Sequence, residues 1–227
     1  MTDRRQRLLN PIAGVAFAIG GSLFALGAAI AQVGSQNPRT AACVYFAGGL
    51  CFNTGGYATV LAALNPPGTT RWRWWAWEPQ RVEWLSAAVL FAGTIVFGIN
   101  LLDSFLQGLT AKQVNRLIWA PDMIGCTLFL ISGHLALKQF RGKRLREVQS
   151  DLDWWIAALN QVGSYMFLVS GLAAFVDPET SSAVNEALSN WGTFGGALCF
   201  ALGGVIQLFD SPTAASGSSG NVVPETA

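Results

Sequence analysis

Six stretches of roughly twenty residues carry almost no charge in their central turns, and this constrains the solvent in which the chain can fold. They are residues 12–33, 41–64, 83–103, 118–138, 153–176 and 187–208. A helix rises about 1.5 Å per residue, so about 20 apolar residues cross a hydrocarbon layer of about 30 Å. In lipid a segment must satisfy its own backbone polar groups, and helix does so within one run. A membrane barrel would instead show alternating strands of about ten residues, and the sequence has no such alternation. The expected fold is all-α: a polytopic membrane helical bundle with six transmembrane helices.

Composition agrees. Hydrophobic residues make up 52% of the chain and charged residues only 12%, about half the usual share of a soluble domain. The formal net charge is +1, which leaves no strong field to attract nucleic acid. The expected organisation is a cytoplasmic N-terminal segment at 1–11, a six-helix transmembrane domain at 12–209 and a disordered cytoplasmic tail at 210–227. The tail is rich in Ser, Gly, Ala and Thr and has too few large apolar groups to fold. Arg4, Arg5 and Arg7 before the first stretch resemble the start of a secretory signal. The apolar run that follows exceeds the roughly 7–15 residues of a signal core, so it reads as a retained helix.

Basic residues orient the spans. With the N-terminus inside, the inner segments hold Arg4, Arg5, Arg7, Arg71, Arg73, Arg81, Lys138, Arg141, Lys143, Arg144 and Arg146, eleven of the fourteen Lys and Arg. The outer loops hold Arg39, Lys112 and Arg116. The positive-inside rule then puts both termini in the cytoplasm of a multi-pass protein of the cell membrane. Trp74, Trp75, Trp77, Trp84, Trp154 and Trp155 gather at the inner boundary, and Trp119 and Trp191 at the outer one. Indole favours the headgroup layer, apolar on its face and wet at its N–H. The run 71–79 reads as a surface strip, with a ligand-binding aromatic cage as the sharper alternative.

A repeat runs through the six stretches. Each centres on a phenylalanine: Phe24, Phe52, Phe97, Phe129, Phe167 and Phe200. Four residues earlier stands Gly20, Gly48, Gly93, Gly125, Gly163 or Gly196. Three earlier stands Gly21, Gly49, Thr94, Cys126, Ser164 or Ala197, and three later Gly27, Gly55, Asn100, Ser132, Ser170 or Gly203. Four later the residue is small in all but one helix, where Leu101 stands. These offsets share a helix face. Membrane helices associate through close contact that small residues permit, so the pattern reads as a packing motif. The rings fall near mid-span and are expected in one layer. Helices of like direction recur about every 70 residues, as three repeated hairpins would.

The Gly-small-x-x-Phe signature, with the run 119–125 followed by Phe129-Leu130-Ile131-Ser132-Gly133, resembles the YrhK-like uncharacterised bacterial integral membrane proteins. The resemblance covers the helices and not the loops or tail. It implies a membrane location and carries over no catalytic residue.

A candidate intramembrane polar site comprises Asp122, His134, Asn100, Asn53 and Asn160. Ionisable groups within a span are functional candidates. Asp122 follows Pro121, where an acidic residue also simply stabilises the positive end of a helix. The amides equally serve as interhelical glue. A polar path from Asp122 through Asn100, and an Asp103–Arg116 ion pair at the outer end, are further expectations. Cys43, Cys51, Cys126 and Cys199 are dispersed, without C-x-x-C, and one histidine completes no zinc set. No phosphate loop, zinc-protease motif or nucleophile elbow occurs. The function expected is therefore non-catalytic, without cofactor or metal, exercised through membrane lipids, a membrane protein partner or a homo-oligomer. The alternative is a small transporter or channel for an ion, proton or small solute, which requires the polar residues to line one cavity.

Overall fold

The computed structural model describes residues 2–34, 38–144, 147 and 150–209, without the side chains of 2–4 and 38. The tail at 210–227 and the side chains of Arg4 and Arg146 lie outside the described residues. Six long helices follow in order: α1 Thr2–Val33, α2 Pro38–Leu64, α3 Val82–Asp103, α4 Ala120–Lys138, α5 Leu152–Ala173 and α6 Glu186–Phe209. Each packs on its neighbours in sequence, and α6 returns to pack on α1, so the helices close a ring. The end that carries Arg5, Arg81, Lys138 and Lys143 is termed the basic end, and the opposite one the far end.

Five of these helices are long and apolar enough to cross a membrane. The remaining one, α2, carries Asn53, Thr54, Tyr57 and four glycines, which lower its mean hydropathy. The ring is arranged inside out relative to a soluble bundle. Ile19, Leu26, Leu50, Ile95, Ile131, Val162, Val169 and Leu202 are exposed on its outer face, whereas Ala13, Ala28, Ala58 and Ala197 are buried within. Lipid solvates the large aliphatic side chains, and the small ones let backbones approach.

Several boundaries differ from those read in the sequence. Residues 2–11 are helical and continuous with α1, despite Pro11 inside the helix. Tertiary contacts hold this extension. Leu9 is buried, Gln6 donates to the carbonyls of Pro66 and Thr69, and Gln207 donates to Asn10 Oδ1 at 2.7 Å. Before α4 a helical turn, Ala111–Val114, is closed by a capping box between Thr110 and Gln113. A π-helical turn, Asn115–Trp119, then leads into α4. Pro121 has no N–H, and the wider turn falls where a regular ladder would lack that donor. α5 opens on Asp151, whose side chain accepts from the Asp153 N–H at 3.1 Å.

The loop between α2 and α3 is folded onto the basic end. Buried Asn65 accepts from the Arg73 N–H at 2.7 Å and donates to the Arg73 carbonyl at 2.8 Å. Glu78 pairs with Arg73 and with Arg81. The bond to Arg81 and then the neighbouring Arg73 hold its carboxyl below the usual range. Trp84 was expected in the headgroup layer. It is instead only 1% exposed, packed with Val60 and Leu64 under Trp77. Trp74, Trp75 and Trp77 remain exposed.

Candidate functional site

The six motif phenylalanines meet at the centre of the ring. Phe24 lies 5.2 Å from Phe52 and 5.5 Å from Phe97 between ring centroids. Phe97 lies 5.8 Å from Phe129, Phe129 5.9 Å from Phe200, and Phe167 5.6 Å from Phe200. These separations are those of favourable aromatic pairs. All but Phe97 are buried.

The glycine four residues before each ring explains how the rings reach inward. A Cβ on Gly20 would stand 2.8 Å from the Phe52 ring, and one on Gly48 would stand 2.7 Å from the Phe24 ring. The same exchange links Gly93 with Phe129, Gly125 with Phe97, Gly163 with Phe200 and Gly196 with Phe167. Each hairpin is therefore closed by two glycines, each receiving the ring of the partner helix.

A second pairing lies one layer further out. For every ring but Phe129, the residue three after it faces, in its hairpin partner, the residue seven before the partner's ring. Gly55 makes room for Phe17 and Gly27 for Tyr45. Asn100 Nδ2 donates to Asp122 Oδ1 at 3.0 Å. The Ser170 and Thr193 hydroxyls share a 2.7 Å bond, and Gly203 makes room for Asn160. In the hairpin of α3 and α4 the remaining slot is filled by Ser132 and Ser86, whose hydroxyls each donate to the other's carbonyl. Large meets small, and polar meets polar. Leu101, the exception to the small stripe, is accommodated by Gly49 of α2, where a Cβ would lie 2.5 Å from Leu101 Cδ1.

Two cavities flank the rings. One of about 520 Å³ opens toward the far end, floored by Phe24, Phe97 and Phe167 and walled by Tyr45, Asn100, Trp119, Asp122, Ser170 and Thr193. The other, of about 710 Å³, opens toward the basic end, roofed by Phe129 and Phe200 with Asn160, Ser132 and Gln207 on its walls. The motif rings of α1, α3 and α5 line the first cavity, and those of α4 and α6 line the second.

The five candidate polar residues thus occupy different places. Asp122 and Asn100 are bonded together and line the far-end cavity. Asn160 lines the basic-end cavity, and its Oδ1 is buried without a hydrogen-bond partner. Asn53 lies in a shallow groove between α2 and α3, beside Gly98, and donates to the Gly49 carbonyl of its own helix. His134 is exposed on the outer face of α4 and lines neither cavity. A continuous polar path inward from Asp122 is interrupted by the phenylalanine layer. Among the described residues Asp103 and Arg116 form no ion pair. They share no pairing because Arg116 is exposed on the π-helical turn while Asp103 ends α3.

Tyr45, Thr193 and Trp119 were not singled out from sequence as site residues, yet they line the far-end cavity with Asp122. The signal for the first two is their position seven before Phe52 and Phe200, the same offset as Asp122 before Phe129. Trp119 was expected in the headgroup belt. It turns inward because its indole N–H donates to the Gly171 carbonyl of α5 at 2.8 Å. Among the described residues no cluster of metal-ligating side chains forms, and the four cysteines are unpaired. Comparisons with protein families, with curated proteins and with solved structures gave no match to this chain.

Proposed function

We propose that this chain forms a gated pathway through the cell membrane for a small solute or ion, with the phenylalanine layer as its closed gate. The reading is supported by one observation above all. Two cavities lie toward opposite ends of a closed helix ring, one lined by Phe24, Phe97 and Phe167 and the other by Phe129 and Phe200, and these two sets of rings pack against each other. A bundle packed solely for stability has no need of paired cavities, because each void costs contact energy. In this reading all six helices cross the membrane, α2 included, since Phe52 of α2 belongs to the layer. Three hairpins descended from one are supported by the reciprocal glycine and ring contacts in each pair. The basic end faces the cytoplasm, so both termini do as well. Kinship with the YrhK-like proteins rests on the Gly-small-x-x-Phe signature alone.

Reconstitution in liposomes tests this reading. Phe129→Ala and Phe200→Ala should each raise the leak of protons, potassium or methylammonium above that of the unaltered protein. Variants that stay folded and leak no faster than empty liposomes would overturn it.

A second reading, non-catalytic action through lipids or a protein partner, is favoured by the exposed plate of Trp74, Trp75 and Trp77 beside Arg71 and Arg73. Indole faces and guanidinium groups suit an anionic headgroup layer. Replacing the three tryptophans by serine should weaken retention of anionic lipid through purification while leaving any flux unchanged.

A further inference from the structure

We propose that the far-end cavity is a binding site for a small organic cation, a protonated amine with an apolar body, anchored by Asp122. The assignment names the solute class for the pathway proposed above and rests on that reading. Asp122 is the single carboxylate on the cavity wall, and no Lys, Arg or His lines the cavity. Among the described residues none pairs with it, and its only bond is the one Asn100 donates to Oδ1. A carboxylate inside a bundle is costly without a partner charge. A bound cation supplies that charge.

The rest of the wall selects among cations. Tyr45, Trp119, Phe97 and Phe167 line the same cavity as the carboxylate. Aromatic faces attract ammonium groups, most strongly where both are shielded from water. They also cover the hydrocarbon part of an amine. A calcium ion would want 6–8 oxygen ligands, and magnesium near-octahedral oxygens from waters, one or two carboxylates and usually phosphates. This wall offers one carboxylate, the amides of Asn100 and Asn190, the first already donating to that carboxylate, and a few hydroxyls. A bare proton needs no space, whereas about 520 Å³ falls within the range of small-molecule pockets. The basic-end cavity differs, since Arg81 and Lys143 line it along with Glu83, Asp151 and Asp153. Its charges are mixed, two cations among three carboxylates, and Lys143 pairs with Asp151 at 3.2 Å.

The test uses the full-length protein in mild detergent, titrated calorimetrically with benzylammonium and with benzyl alcohol as its neutral isostere. Benzylammonium should bind saturably and at least about tenfold more tightly than the alcohol. Asp122→Asn keeps the acceptor for Asn100 and should reduce the preference to within about twofold. Trp119→Leu, which leaves the carboxylate in place, should weaken the amine more than the alcohol. Equal binding of amine and alcohol to the unaltered protein would mean an apolar void only and would overturn the proposal. So would absence of saturable amine binding to folded protein, or a preference for amine that survives Asp122→Asn. Flux separates this from the pathway reading. If amine binds but no variant moves any solute, the site stands and the pathway fails. If protons or potassium leak through Phe200→Ala but no amine binds, the pathway stands and the site fails.

Discussion

Gly163 and Gly196 meet backbone to backbone, so that a Cβ on either would lie 2.9 Å from the carbonyl oxygen of the other. The obstructing atom is main chain, so no side-chain rotation relieves it. Ala at either position must push α5 and α6 apart and withdraw Phe200 or Phe167 from the ring layer. Overpacking of this kind costs about 1–3 kcal/mol. Gly163→Ala and Gly196→Ala should therefore each lower unfolding stability in detergent by that order. Ser22→Ala, at an exposed hydroxyl bonded only to its own helix, should change it by less than about 0.5 kcal/mol. Equal stability of all three variants would mean that the close approach is not required.

The number and order of helices, and the inward stripe of small residues, were legible because lipid solvation rewards long apolar runs and tight helix contact leaves a strict spacing. The polar candidates were less legible. Periodicity gives the face of a helix but not its partner, and His134 sits five residues after Phe129, which turns it outward. Asp122 and Tyr45 share an offset from their rings, yet an aspartate, a tyrosine and a threonine do not look like one class of residue. Only the reciprocal placement of Gly27, Asn100 and Ser170 opposite them makes the offset meaningful. Trp119 and Trp84 were misjudged because tryptophan composition says nothing of the hydrogen bond or the hydrophobic pocket that draws one ring inward.

The bond between Asn100 and Asp122 joins α3 to α4 near the far end. Asn100 is buried, so removing Asp122 leaves its amide without an acceptor at a cost of about 1–3 kcal/mol. A cycle of Asn100→Ala, Asp122→Ala and the double variant should give a coupling above the average of about 0.6 kcal/mol for such bonds in membranes, because the acceptor is a carboxylate. Additive effects of the two single variants would show that the contact contributes nothing. The cycle is read by unfolding in detergent without added amine, which keeps it independent of any ligand.

Glu78 makes the α2–α3 loop sensitive to acid. Its carboxyl is held below the ordinary range by Arg81 and Arg73. A carboxyl depressed in the folded state contributes stability above its unfolded pKa, and that contribution fades as pH falls through the folded value. Hydrogen-exchange protection at residues 65–81 should therefore be present at neutral pH and decline, after correction for intrinsic rates, only below the usual glutamate range. Glu78→Gln should lower protection at neutral pH and remove the acid dependence. The pairs are partly exposed, so added salt should weaken the same protection. A loop equally protected in both proteins at every pH would assign the ordering to Asn65 alone.

The phenylalanine layer should dominate the stability of the ring. Phe200 is 1% exposed and touches Phe52, Phe129 and Phe167. Truncating a buried phenylalanine to alanine costs about 3–5 kcal/mol, because the surroundings close only partly on the space left behind. Here the space already borders the basic-end cavity, so collapse would need whole helices to move. Phe200→Ala should fall at the upper end of that range, and Phe200→Leu well below it. Phe105→Ala serves as the contrast, since Phe105 is partly exposed and meets only Phe46 among the aromatic pairs. Chemical unfolding in detergent gives all three values. A Phe200→Ala protein no less stable than Phe105→Ala would mean that the rings meet without holding the bundle together. Their role would then lie in separating the cavities and not in supporting the fold.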